Sequence, residues 1–161
     1  MRKLIALSLI VPVLAGCSLQ QNGLVLRTVV STVDPYFHGK TVDGAKFDQV
    51  ADRVYTYQWN WYRNLIIDTD EGLVVIDPMN RQMSTMLRAE LDKRFPGKPV
   101  NTLIYSHYHL DHTRGGAVLN PKNVIVHEKA PQYWRASADA SDVLPPTRLI
   151  SGDTTLNIGG V

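Results

Sequence analysis

An α/β fold is predicted by three features: short apolar runs rich in β-branched residues, an amphipathic helix between two of them, and turn residues at their ends. Val54-Tyr55-Thr56-Tyr57 and Leu65-Ile66-Ile67 read as the first strands, and Asp70-Glu71-Gly72 turns the chain after them. Leu73-Val74-Val75-Ile76 is apolar throughout, as a central strand covered on both faces requires, and it stops at Asp77-Pro78. Met79, Met83, Met86, Leu87, Leu91 and Phe95 then recur at helical spacing, and Phe95-Pro96-Gly97 closes the helix. Val100 to Tyr105 is a second buried strand, Val124-Ile125-Val126 a third, and a short helix follows from about Ala130 to Ala136. A strand, a helix and a second parallel strand make a right-handed crossover that brings both strand C-termini to one edge of the sheet. Ligands bind at such edges. Asp77 ends one of these strands, and a histidine cluster follows the other.

With 161 residues, 44% hydrophobic content and 20% charge, the chain is globular material for one domain at most. Its start reads differently. Met1-Arg2-Lys3 is a charged head, and Leu4 to Leu14 is an apolar run ending in the small residues Ala15-Gly16, the pattern of an export signal over 1–16. The run is about half of the roughly 20 residues a membrane span needs. It also contains Pro12. Leu14-Ala15-Gly16-Cys17 resembles the lipobox of bacterial lipoproteins, in which cleavage precedes a cysteine that carries the lipid. A plain secretory signal with an incidental cysteine is the alternative. The resemblance implies a membrane partner through lipid on Cys17, at the outer membrane if the host is Gram-negative. Cys17 is the only cysteine, so no intrachain disulfide forms. Lys and Arg number 17 against 15 Asp and Glu, and removal of Arg2 and Lys3 with the signal leaves the mature chain formally neutral. A basic footprint for nucleic acid is therefore absent. Residues 17–49 read as lipidated cysteine, tether and edge segment, with His38 a linker histidine, and the folded domain is expected over 50–161.

His107-Tyr108-His109-Leu110-Asp111-His112 places three imidazoles and a carboxylate on a loop leaving a buried strand, the nitrogen and oxygen donors that zinc prefers. Alternate spacing lets His107 and His109 converge on one ion in an extended loop, and Asp111 and His112 can address a second site as the chain turns. Gly115-Gly116 is expected to supply flexible backbone as the chain leaves the cluster. A solvated histidine-rich loop is the bland alternative.

His107-X-His109-X-Asp111-His112, with Leu73-Val74-Val75-Ile76-Asp77 before it, resembles the signature of the metallo-β-lactamase superfamily, and the resemblance covers roughly 52–161. It implies the N-terminal half of an αββα sandwich. It also implies that His107 and His109 bind one zinc ion, that Asp111 and His112 bind another, and that Asp77 supports the histidine loop. Asp77 as a mere turn cap is the alternative. Asp111 would hold the second metal and orient the attacking water. Trp59, Trp61 and Tyr62 lie where that fold often overhangs the substrate, although packing within the hairpin is equally compatible. His127 closes a strand and is expected to be structural.

No histidine follows His127, whereas the family's complete fold takes further histidines and a bridging aspartate from its second half. Thr154 to Gly160 reads as a strand entering a hairpin turn, so the sequence is expected to be truncated, with one zinc ion or fewer held by these 161 residues and little activity alone. The complete protein is expected to be a zinc-dependent hydrolase of a small-molecule ester, lactone, thioester, β-lactam, phosphoester or sulfate ester. A noncatalytic envelope lipoprotein that uses the half-fold to hold metal or a partner is the rival reading. The sequence leaves the oligomeric state open.

Overall fold

A single seven-stranded sheet, its strands in sequential order, organises residues 44–161, which are those the computed structural model describes. The expected export signal, Cys17, most of the tether and His38 lie outside the described residues. Strands β1 (Lys46–Ala51), β2 (Val54–Trp59), β3 (Tyr62–Thr69) and β4 (Gly72–Ile76) form an antiparallel meander. β5 (Val100–Ile104), β6 (Asn123–His127) and β7 (Arg148–Ile150) then add in parallel. The first strand begins at Lys46, ahead of the expected start near Val50. It is an edge strand with most side chains exposed, and so carries little of the apolar patterning that reveals inner strands.

Local chemistry makes the turns. Asn60, between β2 and β3, takes a left-handed conformation (φ 53°), which short polar side chains tolerate better than most. Gly72 has φ 125°, and a Cβ there would stand 2.7 Å from the Pro99 carbonyl oxygen, so the entry to β4 admits only glycine.

Helix α1 (Arg81–Arg94) makes the crossover from β4 to β5. Asn80 caps it, its side chain accepting from the Met83 amide at 2.9 Å, and Lys93 and Arg94 in the last turn complement the helix dipole. Met83, Leu87 and Leu91, four residues apart, form the buried stripe, and all are fully buried in one core with Leu73, Val75, Leu103 and Val124. Val75, Leu103 and Val124 are register partners, so they project from the same face of the sheet onto the helix. Each such side chain stabilises the fold by about 1.5–3 kcal/mol relative to exposure. Met79 is also fully buried, while Met86 and Phe95 pack at the margin of this core.

Three short helices follow: α2 (Leu110–Thr113), α3 (Gly116–Leu119) and α4 (Pro131–Arg135). The expected strand over 154–160 is absent. That segment is irregular and ends in a tight turn in which Ile158 and Val161 exchange backbone hydrogen bonds. Its alternation of apolar and polar residues is compatible with a strand, but no neighbouring strand among the described residues pairs with it.

Candidate metal centre

The carboxyl ends of β4 and β5 are level, because Ile76 pairs with Ile104. Chain leaving β4 and β5 therefore meets at one edge, and the Asp77 amide still donates to the Ile104 carbonyl at 2.9 Å. Asp77 and Met79 both have positive φ, 58° and 63°. Such conformations cost about 1–3 kcal/mol each and persist where the surroundings over-determine them. Here they are held from several sides. The Met79 amide donates to the His112 carbonyl at 3.1 Å, the Gly115 amide donates to the Met79 carbonyl at 2.8 Å, and Ser84 Oγ donates to the Pro78 carbonyl. Asn64 Nδ2 donates to the Asp77 carbonyl at 3.3 Å. The turn after β4 and the histidine segment are thereby clamped together.

Gly115 and Gly116 serve this clamp by being small, not by being flexible. Gly115 has an ordinary φ of −88°, and a Cβ on it would lie 1.9 Å from Ser84 Oγ; one on Gly116 would lie 2.8 Å from the Tyr105 hydroxyl. The expectation of a loose backbone is corrected accordingly.

Asp77 is buried, and both of its carboxylate oxygens are engaged. Oδ1 accepts from the Ser106 amide at 2.8 Å and Oδ2 from the Ser106 hydroxyl at 2.5 Å. Ser106 Oγ also lies 2.9 Å from His107 Nδ1. The His107 and His112 rings are 4.4 Å apart between centroids, and His109 stands 4.7 Å from His107. Asp77, His107 and His112 each offer a ligand atom, all within 4.8 Å of one another. His109 and Asp111 flank this trio without joining it. Ser106 thus engages each Asp77 oxygen with one hydrogen bond.

His112 Nδ1 stands 3.3 Å from Asp77 Oδ2, close enough for charge attraction but misaligned for a hydrogen bond, and it is buried without a hydrogen-bond partner among the described residues. The Asp77 contact raises its pKa above the ordinary histidine value; burial opposes this, and the Asp111 charge adds to it. Burial, and then the neighbouring His112, push His107 below that value. A buried imidazole nitrogen without a hydrogen-bond partner, set among nitrogen and oxygen donors, fits zinc.

Asp111 and His112 are carried by α2, which starts where His109 turns out of extended backbone. Asp111 is half-exposed; its Oδ2 accepts from the Tyr62 hydroxyl at 3.2 Å and lies 3.7 Å from His112 Nε2. Behind the loop, Trp134 Nε1 donates to the Tyr108 carbonyl at 2.7 Å, and the Tyr108 ring stacks on Tyr133 at 4.0 Å. Of the three hairpin aromatics expected near substrate, Tyr62 reaches the site, Trp61 is 77% exposed, and Trp59 is buried in the core at 6%. Of the two readings of Trp59, packing is the one the fold gives: its position at the end of β2 turns it inward. His127 lies on the same sheet edge but is exposed and outside the trio, its Nδ1 accepting from the Lys129 amide at 3.2 Å. Ser106 was not singled out in the sequence. A hydroxyl between a strand end and the first histidine was the available signal.

The family model of the Metallo-beta-lactamase superfamily matches residues 64–160. The chain belongs to this superfamily, and its fold is of the superfamily's hydrolase type. It is 37% identical over 110 residues to the 2,4-dinitroanisole O-demethylase subunit alpha of Nocardioides sp. (strain JS1661), an alignment spanning 66% of this chain and 33% of that protein. To the subunit beta of the same organism it is 33% identical over 104 residues, 63% of this chain and 31% of that protein. The chain thus spans about a third of the length of the curated relatives it matches. Among solved structures, the metallo-beta-lactamase from Pontibacter korlensis matches with a TM-score of 0.60 at 20% identity, covering 73% of this chain and 57% of that one. A subclass B3 metallo-beta-lactamase of Bradyrhizobium japonicum matches with a TM-score of 0.57 at 19% identity, covering 70% and 48%. These two likenesses concern the fold.

Proposed function

We propose that the chain carries the metal-loop half of a zinc-dependent hydrolase that acts on a small molecule at the carboxyl edge of the sheet. The observation that supports this most is the convergence of His107 and His112 beside Asp77, with the orphaned His112 nitrogen among them. His107, His109, Asp111 and His112 would hold the metal. Bound zinc supplies Lewis acidity that brings the pKa of water toward neutrality. Asp111 would orient the water and accept its proton, and the Tyr62 hydroxyl holds the Asp111 carboxylate by a hydrogen bond. Asp77 holds the histidine loop against the sheet.

Within this reaction type the likeness to the two demethylase subunits favours an activated aryl ether over the other substrate classes. The overall change balances as ether plus water giving a phenol and an alcohol, with the water oxygen replacing an alkoxide that leaves with a proton. The exposed ring of Tyr108, 4.8 Å from that of His109 and stacked on Tyr133, suits a planar ring. The same likeness supports a second subunit as protein partner. The lipobox supports export and anchoring through Cys17.

Zinc content by elemental analysis, together with turnover of nitroaryl ether, lactone, thioester, β-lactam and phosphodiester substrates, tests the proposal. In the complete protein, His109→Ala and Asp111→Ala are expected to abolish turnover while the far-ultraviolet circular dichroism stays unchanged. Turnover retained in Asp111→Ala, or unaffected by chelation, overturns it.

A further inference from the structure

The hydrogen bonds around Ser106 determine more than the position of a loop. Asp77, as a carboxylate, has acceptors only. Its Oδ2 lies 2.5 Å from Ser106 Oγ, so the single hydroxyl proton of Ser106 is committed to Asp77. The Ser106 amide, donating to Oδ1 at 2.8 Å, fixes the side chain of Asp77 in that orientation. Ser106 Oγ has no second proton to give, yet it stands 2.9 Å from His107 Nδ1. That contact is a hydrogen bond only if Nδ1 is the protonated nitrogen and donates to the serine oxygen.

We infer that Ser106 is a positioning residue that relays the charge of Asp77 into the tautomer of His107, holding the proton on Nδ1 and leaving Nε2 as the ring's sole lone pair for a metal ion. The inference rests on the metal-centre reading for its purpose but not for its test. Which nitrogen of a metal-binding histidine is available is set by the hydrogen bond the other one makes. Here that bond comes through a serine, with the carboxylate one step further back.

The relay has a consequence that simple loop support lacks. In Asp77→Asn the amide oxygen must stay on the Ser106 N–H, which turns the NH2 group toward Ser106 Oγ. The serine oxygen then accepts from Asn, its own proton swings to His107 Nδ1, and the ring must protonate on Nε2. Nothing larger than one atom has changed.

The test is long-range nitrogen–proton correlation NMR on histidine-labelled, chelator-treated protein at a pH where His107 is neutral, with zinc affinity measured in parallel by competition against a chromophoric chelator. Wild type and Ser106→Thr are expected to show His107 protonated on Nδ1. Asp77→Asn is expected to show it on Nε2, and Ser106→Ala a mixture. Zinc affinity is expected to fall about 10–100-fold in Asp77→Asn and Ser106→Ala, and to be retained in Ser106→Thr. Amide spectra report whether each variant folds, and Ser106→Thr supplies the folded control. A bare Nδ1 in wild type, or an unchanged tautomer in a folded Asp77→Asn, overturns the inference. If wild type itself binds no zinc, the metal-centre reading falls, while the tautomer pattern still decides for or against the relay.

Discussion

Asp77 links two histidines in different ways, by charge to His112 and through Ser106 to His107. The metal-free protein should therefore show its two buried-side histidines titrating on opposite sides of the ordinary value of about 6.5. His112 should titrate above it and His107 below it, as followed by the ring proton shifts against pH. Asp77→Asn should bring His112 down. A His112 value raised by folding means that the folded state binds its proton more tightly than the unfolded state. Its contribution to stability is therefore complete below about pH 6.5 and is lost as pH rises through the folded value. His107 acts in the reverse sense: its lowered value makes the folded state less favourable as pH falls below about 6.5. Urea melts of wild type and His112→Gln at several pH values separate the two, since only wild type should lose stability as pH rises through the His112 transition. Zinc competes with the same protons, so its affinity should rise with pH.

Helix α1 is held by a cap, a stripe and a close contact, and each can be removed singly. Asn80→Ala deletes the bond to the Met83 amide and should cost about 0.5–2 kcal/mol. Leu87→Ala opens a cavity in a fully buried part of the core and should cost about 2–5 kcal/mol, with the metal loop unchanged. Gly115→Ala is the informative variant of the three. Its methyl group would meet Ser84 Oγ and, at 2.7 Å, the Asn80 carbonyl oxygen, so α1 and the histidine segment must part. Overpacking of this kind costs about 1–3 kcal/mol. Since the Gly115 amide also holds the Met79 carbonyl, this variant should lower zinc affinity as well as stability, whereas Leu87→Ala should lower stability alone. Equal zinc affinity in Gly115→Ala and wild type would break the connection between clamp and site.

Residues 44–161 form one compact unit, and the sheet separates two faces of different character. One carries α1 and the main core; the other presents Val74, Ile76, Thr102, Ile104 and Ile125 in register. Among the described residues, no helix is long and apolar enough to cross a membrane. The lipobox, where lipid attachment is expected, lies ahead of this unit. Expressed in a bacterium, the whole chain should partition with membranes and incorporate labelled fatty acid, and Cys17→Ala should lose both properties. Soluble wild-type product free of label would contradict the anchor.

Much of the architecture was legible in local sequence because local physics produced it. The apolar runs of β4, β5 and β6, the four-residue stripe of α1 and the Asp70-Glu71-Gly72 turn each declare themselves within a few residues, and the β-α-β order alone puts Asp77 and the histidine cluster on one edge. The motif also resembled a family to which the chain belongs. What local sequence did not carry were features that depend on partners distant along the chain. β1 is an edge with little apolar pattern, and the strand-like 154–160 finds no partner strand among the described residues. Gly115 and Gly116 looked like flexibility until Ser84 and Tyr105 were seen to stand where their Cβ atoms would be. Trp59 was open between substrate contact and packing, and the fold turns it into the core. Ser106 acquires its role only because the fold sets it against Asp77, 29 residues earlier in the chain. Residue types and their spacing determined which donors are available and on which edge of the sheet they lie; the tertiary structure decided their orientation, because a hydrogen bond depends on distance and angle that neither composition nor periodicity encodes.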